Sequence, residues 1–267
     1  MNKTILLLRL EGPLQSWGAR SHWDVRDTSA EPTKSGVVGL IGCALGYPTG
    51  DPRLETELDA GLRFGVRVEA PGRILKDFQT VTGYLPTAAG GYRHSGVAVG
   101  TSLERIRANP DASPATILSP RFYLEDAAFL VGLEETGRAP SDLLMRCANA
   151  LQSPRWPLFL GRKACLPTRP VFEALTGDYQ GLEDALRKHP WSWLKAKAAS
   201  RGPRHLQRQV GGGEVHLDAY IEDSAGPLVR QDAVRTNSAR QYGFRNARRL
   251  AEPGILLRDV LAKEAGS

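Results

Sequence analysis

The chain contains no run of about eighteen apolar residues, so no segment reads as a membrane-crossing helix. Its start, MNKTILLLRLEG, has a short apolar run but no small-residue cleavage pattern, and reads as a first strand rather than an export signal. Cysteine is scarce: Cys43, Cys147 and Cys165 are odd in number, far apart and in apolar company. They make neither a disulfide framework nor a zinc site, and a cytoplasmic protein without membrane contact or cofactor is expected. Catalytic motifs are missing too. GLIGCALG lacks the Gly-Lys-Ser/Thr ending of a phosphate loop, and no GxSxG, HExxH or CxxC occurs. The neighbouring carboxylates Glu125–Asp126 and Glu222–Asp223 would point to opposite faces of a strand, so they form no acid–base pair.

What is present is length and a local charge. The chain has 267 residues, enough for a real core, and a net charge of +6. Residues 195–250 hold eleven Lys or Arg against five acids, so this segment carries the whole excess. A basic excess confined to one region fits a polyanion partner, with a solvated basic segment as the alternative.

The stretch 8–18, LRLEGPLQSWG, reads as the end of a buried strand running into a Gly-Pro turn that delivers Gln15, Ser16 and Trp17 together. At 31–46, EPTKSGVVGLIGCALG opens a helix over about 34–46 whose start combines Thr33, Lys34, Ser35 and a bare Gly36 amide. Unpaired N–H groups and a partial positive charge suit such a start to phosphate. The alternative makes Trp17 a core plug and Lys34 a solvated charge. Gly36, Gly39 and Gly42 lie three apart, as expected for a helix pressed closely on a neighbour.

Further along, 62–68 alternates as a half-buried strand with Arg63 and Arg67 outward, and 71–120 loses periodicity. Strand character returns over 121–133, where Phe129, Val131 and Leu133 share a face. Ser141 then caps a helix burying Leu143, Leu144, Cys147, Ala148 and Leu151, and a strand lies within 158–172. The order strand, helix, strand, insertion, strand, helix, strand predicts an α+β fold, a ferredoxin-like, RRM-like βαββαβ sheet. Residues 1–172 form this unit with an insertion at about 71–120. Residues 173–267 are a basic C-terminal extension that packs on or completes it, with a short helix near 181–188 and a late hairpin from 214–221.

The two opening stretches resemble the N-terminal signature of the Cas5 family of CRISPR-associated proteins. PRWPLFLGRKACLPTRPVF, 154–172, resembles a second family segment built around LGR-K/R-x-C, and a weaker likeness covers 228–250. The resemblance implies the same sheet, with 71–120 as its thumb. For a type I-E system it implies a non-catalytic Cascade subunit that holds the 5′ handle of the CRISPR RNA and caps the backbone subunits. It would touch the large subunit and meet target DNA only through the complex. Type I-C relatives cut the repeat themselves with Tyr, Lys and His, which leaves a metal-independent pre-CRISPR-RNA endoribonuclease as the alternative.

Single-stranded RNA is held by aromatic stacking and arginine forks while phosphate contacts fix its register. The candidates for this are Gln15, Ser16, Trp17, Lys34, Ser35 and Gly36 at the first corner, and Tyr84, Arg93 and His94 in the excursion. Arg162 and Lys163 at the second segment complete the RNA set. Arg240 and Arg245 stand open between RNA and a neighbouring subunit. For Trp17, Trp156 and Cys165 core packing is an equal reading. Should the chain cut RNA, His94 is the candidate base.

Overall fold

The computed structural model describes residues 2–18, 25–86, 92–95, 104, 113–191, 216–236, 242–250, 254–256 and 260, with the side chains of 85, 86, 92–95 and 113 left outside the description. The elements run β1 (Lys3–Glu11), β2 (Leu14–Gln15), α1 (Lys34–Leu45), a π-helical segment Leu54–Asp59, β3 (Leu62–Ala70), β4 (Arg73–Gly83), β5 (Leu85–Pro86) and β6 (Tyr92–Ser95). They continue with β7 (Ser113–Glu125), β8 (Ala128–Glu135), α2 (Leu143–Gln152), β9 (Phe172–Tyr179), α3 (Leu182–Lys188), β10 (His216–Leu217), β11 (Ala219–Glu222), β12 (Leu228–Ala233), β13 (Gly243–Arg249) and β14 (Ile255–Leu256). This is a mixed α/β fold dominated by antiparallel sheet. Its main sheet has the order β12-β13-β11-β3-β8-β1-β9, with every neighbouring pair antiparallel.

β1 lies inside this sheet because its apolar run suits a strand covered on both faces. Leu6, Leu8 and Leu10 face one core with Phe64, Val66, Phe129, Val131 and Leu133, closed by Val37 and Ile41 of α1 and by Leu143, Leu144 and Cys147 of α2. Ile5 and Leu7 face the other core, closed by Leu182, Ala185 and Leu186 of α3 together with Trp191, Leu217, Leu250 and Ile255. Each such fully buried aliphatic side chain contributes about 1.5–3 kcal/mol of transfer free energy. The burial face expected of α2 is the observed one. Its cap is not: Asp142, not Ser141, holds the N-cap position without a side-chain bond. Glu135 at the end of β8 serves instead, accepting from the Leu144 N–H at 3.1 Å.

Several expected boundaries move. The aperiodic 71–120 stretch holds two long strands, β4 and β7, paired from Arg73–Glu125 to Gly83–Ala115 as an arm. Periodicity fails there because polar and apolar residues mix on both faces of a strand that has solvent along much of one side. The 121–133 strand is two strands, broken at Asp126, whose φ of 54° turns the chain out of β7. No strand falls between 153 and 171, so the strand expected within 158–172 is absent there; the next strand, β9, starts only at Phe172. Of the 214–221 segment, 214 and 215 lie outside the described residues; over 216–221, β10 and β11 do not pair with each other, since β10 pairs with β14 while β11 lies between β3 and β13 in the main sheet. Half of β3 was expected at the surface, yet Arg67 is 0% exposed because the extension covers that face.

Arg67 belongs to a charged cluster under α3. Arg9, Arg67 and Glu69 are all fully buried, and Glu69 receives both guanidinium groups. Arg67 also donates to the Leu186 carbonyl at 2.8 Å, and Arg9 to the Pro190 carbonyl at 3.2 Å. Glu173 on β9 extends the cluster, pairing with Arg9 at 3.1 Å and His189 at 3.3 Å, while the His189 ring also meets the Tyr179 hydroxyl at 3.0 Å. The His189 hydrogen bond, with Arg9, pulls the Glu173 carboxyl down to about 2. Its stabilisation is therefore complete above the ordinary glutamate range and is lost as pH falls through about 2. Glu173→Gln should cost on the order of 2–3 kcal/mol at neutral pH. In urea unfolding the gap from the parent should shrink by more than half near pH 3.

Candidate nucleic-acid interface

The expected phosphate corner is filled from within. Thr33 caps α1, accepting from the Gly36 N–H at 3.2 Å. The next anion position, at the Lys34 N–H, is held by the Asp232 carboxylate of β12 at 2.7 Å. An internal carboxylate thus sits where the partial positive charge of a helix start would draw a phosphate oxygen. Asp232 is in turn gripped on both oxygens by Arg245, at 2.7 and 2.9 Å, and the guanidinium lies 5.2 Å above the Phe64 ring. The Lys34 ammonium also points inward. It donates to the Asp59 carbonyl at 2.7 Å and to both Glu222 oxygens at 2.9 and 3.1 Å. Burial pushes the Asp59 carboxyl up despite the nearby Lys34 charge.

Trp17 is 1% exposed, so its indole offers no free face to a base in this conformation. Its N–H donates to the Gln15 side-chain oxygen at 3.0 Å. Gln15 donates onward to the Leu10 and Ala127 carbonyls, at 3.2 and 2.7 Å. Gly36 is what lets the ring lie against α1, because a Cβ there would sit 2.9 Å from the indole. Gly42 packs against Leu54 in the same way, whereas Gly39 faces nothing within 4 Å and does not serve the close approach expected of it.

The two sequence signatures form one unit. The Ser16 N–H donates to the Leu160 carbonyl at 3.0 Å, and a Cβ on Gly161, whose φ is 99°, would strike the Ser16 carbonyl. Arg162 turns inward, donating to the Phe122, Arg26 and Asp27 carbonyls at 2.8–3.0 Å with its guanidinium 4.7 Å from the Tyr123 ring. It ties the arm to the 25–28 segment. Lys163 beside it is exposed.

The basic excess is largely neutralised where it is described. Arg230 pairs with Glu31, Arg235 with Glu55, Arg245 with Asp232, Arg248 with Asp223 and Glu183, and Arg249 with Asp218. Under the 27–33 segment two of these pairs, Arg230–Glu31 and Arg245–Asp232, border a cleft of about 200 Å³, floored by Phe64, Val66 and Tyr220 and walled by β12. The Arg230 guanidinium lies 5.2 Å over Tyr220 and reaches Glu31 at 2.6 Å. Burial, more than the neighbouring acids, raises the Glu31 carboxyl. A second surface lies on the arm, where Ile74, Phe78 and Leu118 are exposed and the Lys76 ammonium sits 4.6 Å from the Phe78 ring and 5.6 Å from Phe122.

Residues 5–259 match the family described as CRISPR-associated protein (Cas_Cas5). The chain belongs to the Cas5 family. It is 31% identical over 180 residues to the CRISPR system Cascade subunit CasD of Escherichia coli strain K12, covering 64% of this chain and 70% of the relative. A solved structure described as a Cas protein crystal structure is similar with a TM-score of 0.60 and 30% identity, over 96% of this chain and 97% of the other. A chain of a structure titled CRISPR RNA-guided surveillance complex is similar with a TM-score of 0.61 and 28% identity, over 97% of this chain and 93% of the other.

In this Cas5 chain, Gln15, Ser16, Trp17, Gly36 and Arg162 thus cluster at the joined signatures, with Ser35 in the same first helical turn. Lys34 and Arg245 share Asp232 instead. Tyr84 is half-buried beyond the end of β4, apart from both groups in the sequence of elements. The Arg93 and His94 side chains and all of Arg240 lie outside the described residues. The cleft residues Glu31, Phe64, Tyr220, Arg230 and Asp232 were not anticipated. The one available signal was Asp232 itself, the single acid between 224 and 250, which marks a neutralised arginine.

Gly161→Ala should lower stability by about 3 kcal/mol or more, through positive-φ strain plus a backbone collision, seen as a large drop in thermal midpoint. Lys34→Ala should cost about 3 kcal/mol in urea unfolding, since it leaves Glu222 and Asp59 without their cation. Loss of RNA affinity at unchanged stability would contradict the inward Lys34.

Proposed function

We propose that this chain is the Cas5 subunit of a type I-E Cascade surveillance complex. In this reading it binds the 5′ handle of the CRISPR RNA, caps the backbone subunits and contacts the large subunit. It meets target DNA through the complex and leaves RNA uncut. The observation that carries the reading is the family match together with likeness over 97% of the chain to a chain of an RNA-guided surveillance complex. The E. coli relative's name, Cascade subunit CasD, supports the subunit assignment.

Finer parts of the reading have their own support. The strand order β3-β8-β1-β9, with α1 and α2 on one face, supports a ferredoxin-like, RRM-like unit. The β4–β7 arm supports a thumb, and its exposed Phe78 beside Lys76 is the aromatic-cation pairing that single-stranded RNA favours. The exposed Lys163 and the rim of the 27–33 cleft supply further polar contacts.

The rival is a metal-independent repeat endoribonuclease. One observation favours it: Tyr179, His189 and Glu173 form a hydrogen-bonded chain beside Arg9 and Arg169, a pairing of proton-transfer groups with cations. Incubating the purified chain in EDTA with end-labelled CRISPR repeat RNA separates the two. Intact RNA with a gel shift specific to the handle is the expected result. A discrete product lost in His189→Ala or His94→Ala would replace the subunit reading with the nuclease.

A further inference from the structure

The 27–33 cleft has a composition that narrows what can enter it. At about 200 Å³ it lies below the usual range for drug-sized ligands and admits a single planar ring system. Its charges nearly balance, with Asp27, Glu31 and Asp232 facing Arg230 and Arg245. A phosphate would meet three carboxylates there, and a partner's guanidinium would meet two of its own kind. A neutral group with both donors and acceptors meets neither obstacle. The cleft also supplies a plane, because the half-buried Tyr220 ring carries the Arg230 guanidinium 5.2 Å above it. Bases of single-stranded RNA stack on such surfaces.

We infer that this cleft receives one base of a single-stranded RNA and prefers bases bearing an exocyclic amino group over uracil. This rests on the RNA-binding reading above and adds the place and the selectivity. The half-buried Tyr220 and the Arg230 guanidinium hold the ring, while Phe64 only closes the floor beneath it. Glu31 accepts from the amino group of adenine, cytosine or guanine, whereas uracil sets two carbonyls around one N–H and brings acceptor against acceptor. Among the described residues Glu31 pairs only with Arg230, an ion pair that joins the 27–33 segment to β12.

The test is fluorescence anisotropy of the full chain with fluorescein-labelled oligo(A), oligo(C) and oligo(U) octamers. Oligo(A) and oligo(C) should bind about fivefold tighter than oligo(U), the factor that one net hydrogen bond supplies. Glu31→Gln should bring the three within about twofold, since an amide both accepts and donates. Tyr220→Leu should weaken all three by a similar factor of about five or more through lost stacking. Thermal midpoints of both variants near the parent's would exclude a folding defect, and Arg230→Gln offers a third probe should Tyr220→Leu unfold. Binding with no base preference, or a preference that survives Glu31→Gln, would overturn the cleft while leaving RNA binding in place. Failure to bind any of the RNAs would overturn the RNA reading itself. Equal RNA binding with an arginine-rich peptide bound by the parent and lost in Glu31→Gln would assign the cleft to a protein and overturn the base reading.

Discussion

The fully buried Arg9, Arg67 and Glu69 need partners, because an uncompensated charge away from water costs several kcal/mol. Glu69 satisfies two guanidinium groups at once, and the carbonyls of Leu186 and Pro190 take further N–H groups. Those carbonyls lie at and just beyond the C-terminal end of α3, where the helix dipole is negative and favours cations. The cluster therefore requires α3 to sit over β1 and β3, and the neighbouring Leu182, Ala185 and Leu186 seal the same face. An RNA-recognition sheet usually binds bases on an open face. Here the helices α1 and α2 close one side, and α3 with the C-terminal segments closes the other. Both faces of the sheet are thus covered, and what stays open lies on its rims: the arm, the exposed Lys163 beside the joined signatures and the cleft beside β12.

The corner at α1 shows how a motif can be placed correctly and mean something different. A helix start with Thr, Lys, Ser and Gly has the donors for phosphate, and the Lys34 and Gly36 N–H groups are used. Their acceptors are Asp232 and the cap oxygen of Thr33, both internal. Asp232 links α1 to β12 and β13 at once, so the charge that reads as a ligand site positions the far edge of the sheet. Lys34 does the same toward Asp59, at the end of the π-helical segment, and Glu222 of β11.

Much of the core was legible because apolar periodicity is local: β1, α1, α2 and α3 fall close to their expected places. What was not legible depends on contacts distant in sequence. Arg67 reads as a surface residue until α3, more than a hundred residues away, covers it. The arm strands β4 and β7 hide from pattern reading because partial exposure removes the usual alternation. Trp17 and Arg162 were recognisable as special by type and spacing. Nothing in the sequence could tell a stacking platform from a buried anchor, since both uses select the same side chain. The cleft was invisible for the complementary reason: its walls come from segments near 30, 64, 220, 230 and 245, and only the fold brings them together.

The approach of Gly161 to the Ser16 carbonyl has one more consequence. Two signatures nearly 150 residues apart share a backbone interface too tight for a side chain on that glycine. The constraint is one-sided: the atoms met at position 16 are backbone, so the side chain there can vary, whereas position 161 must keep its glycine.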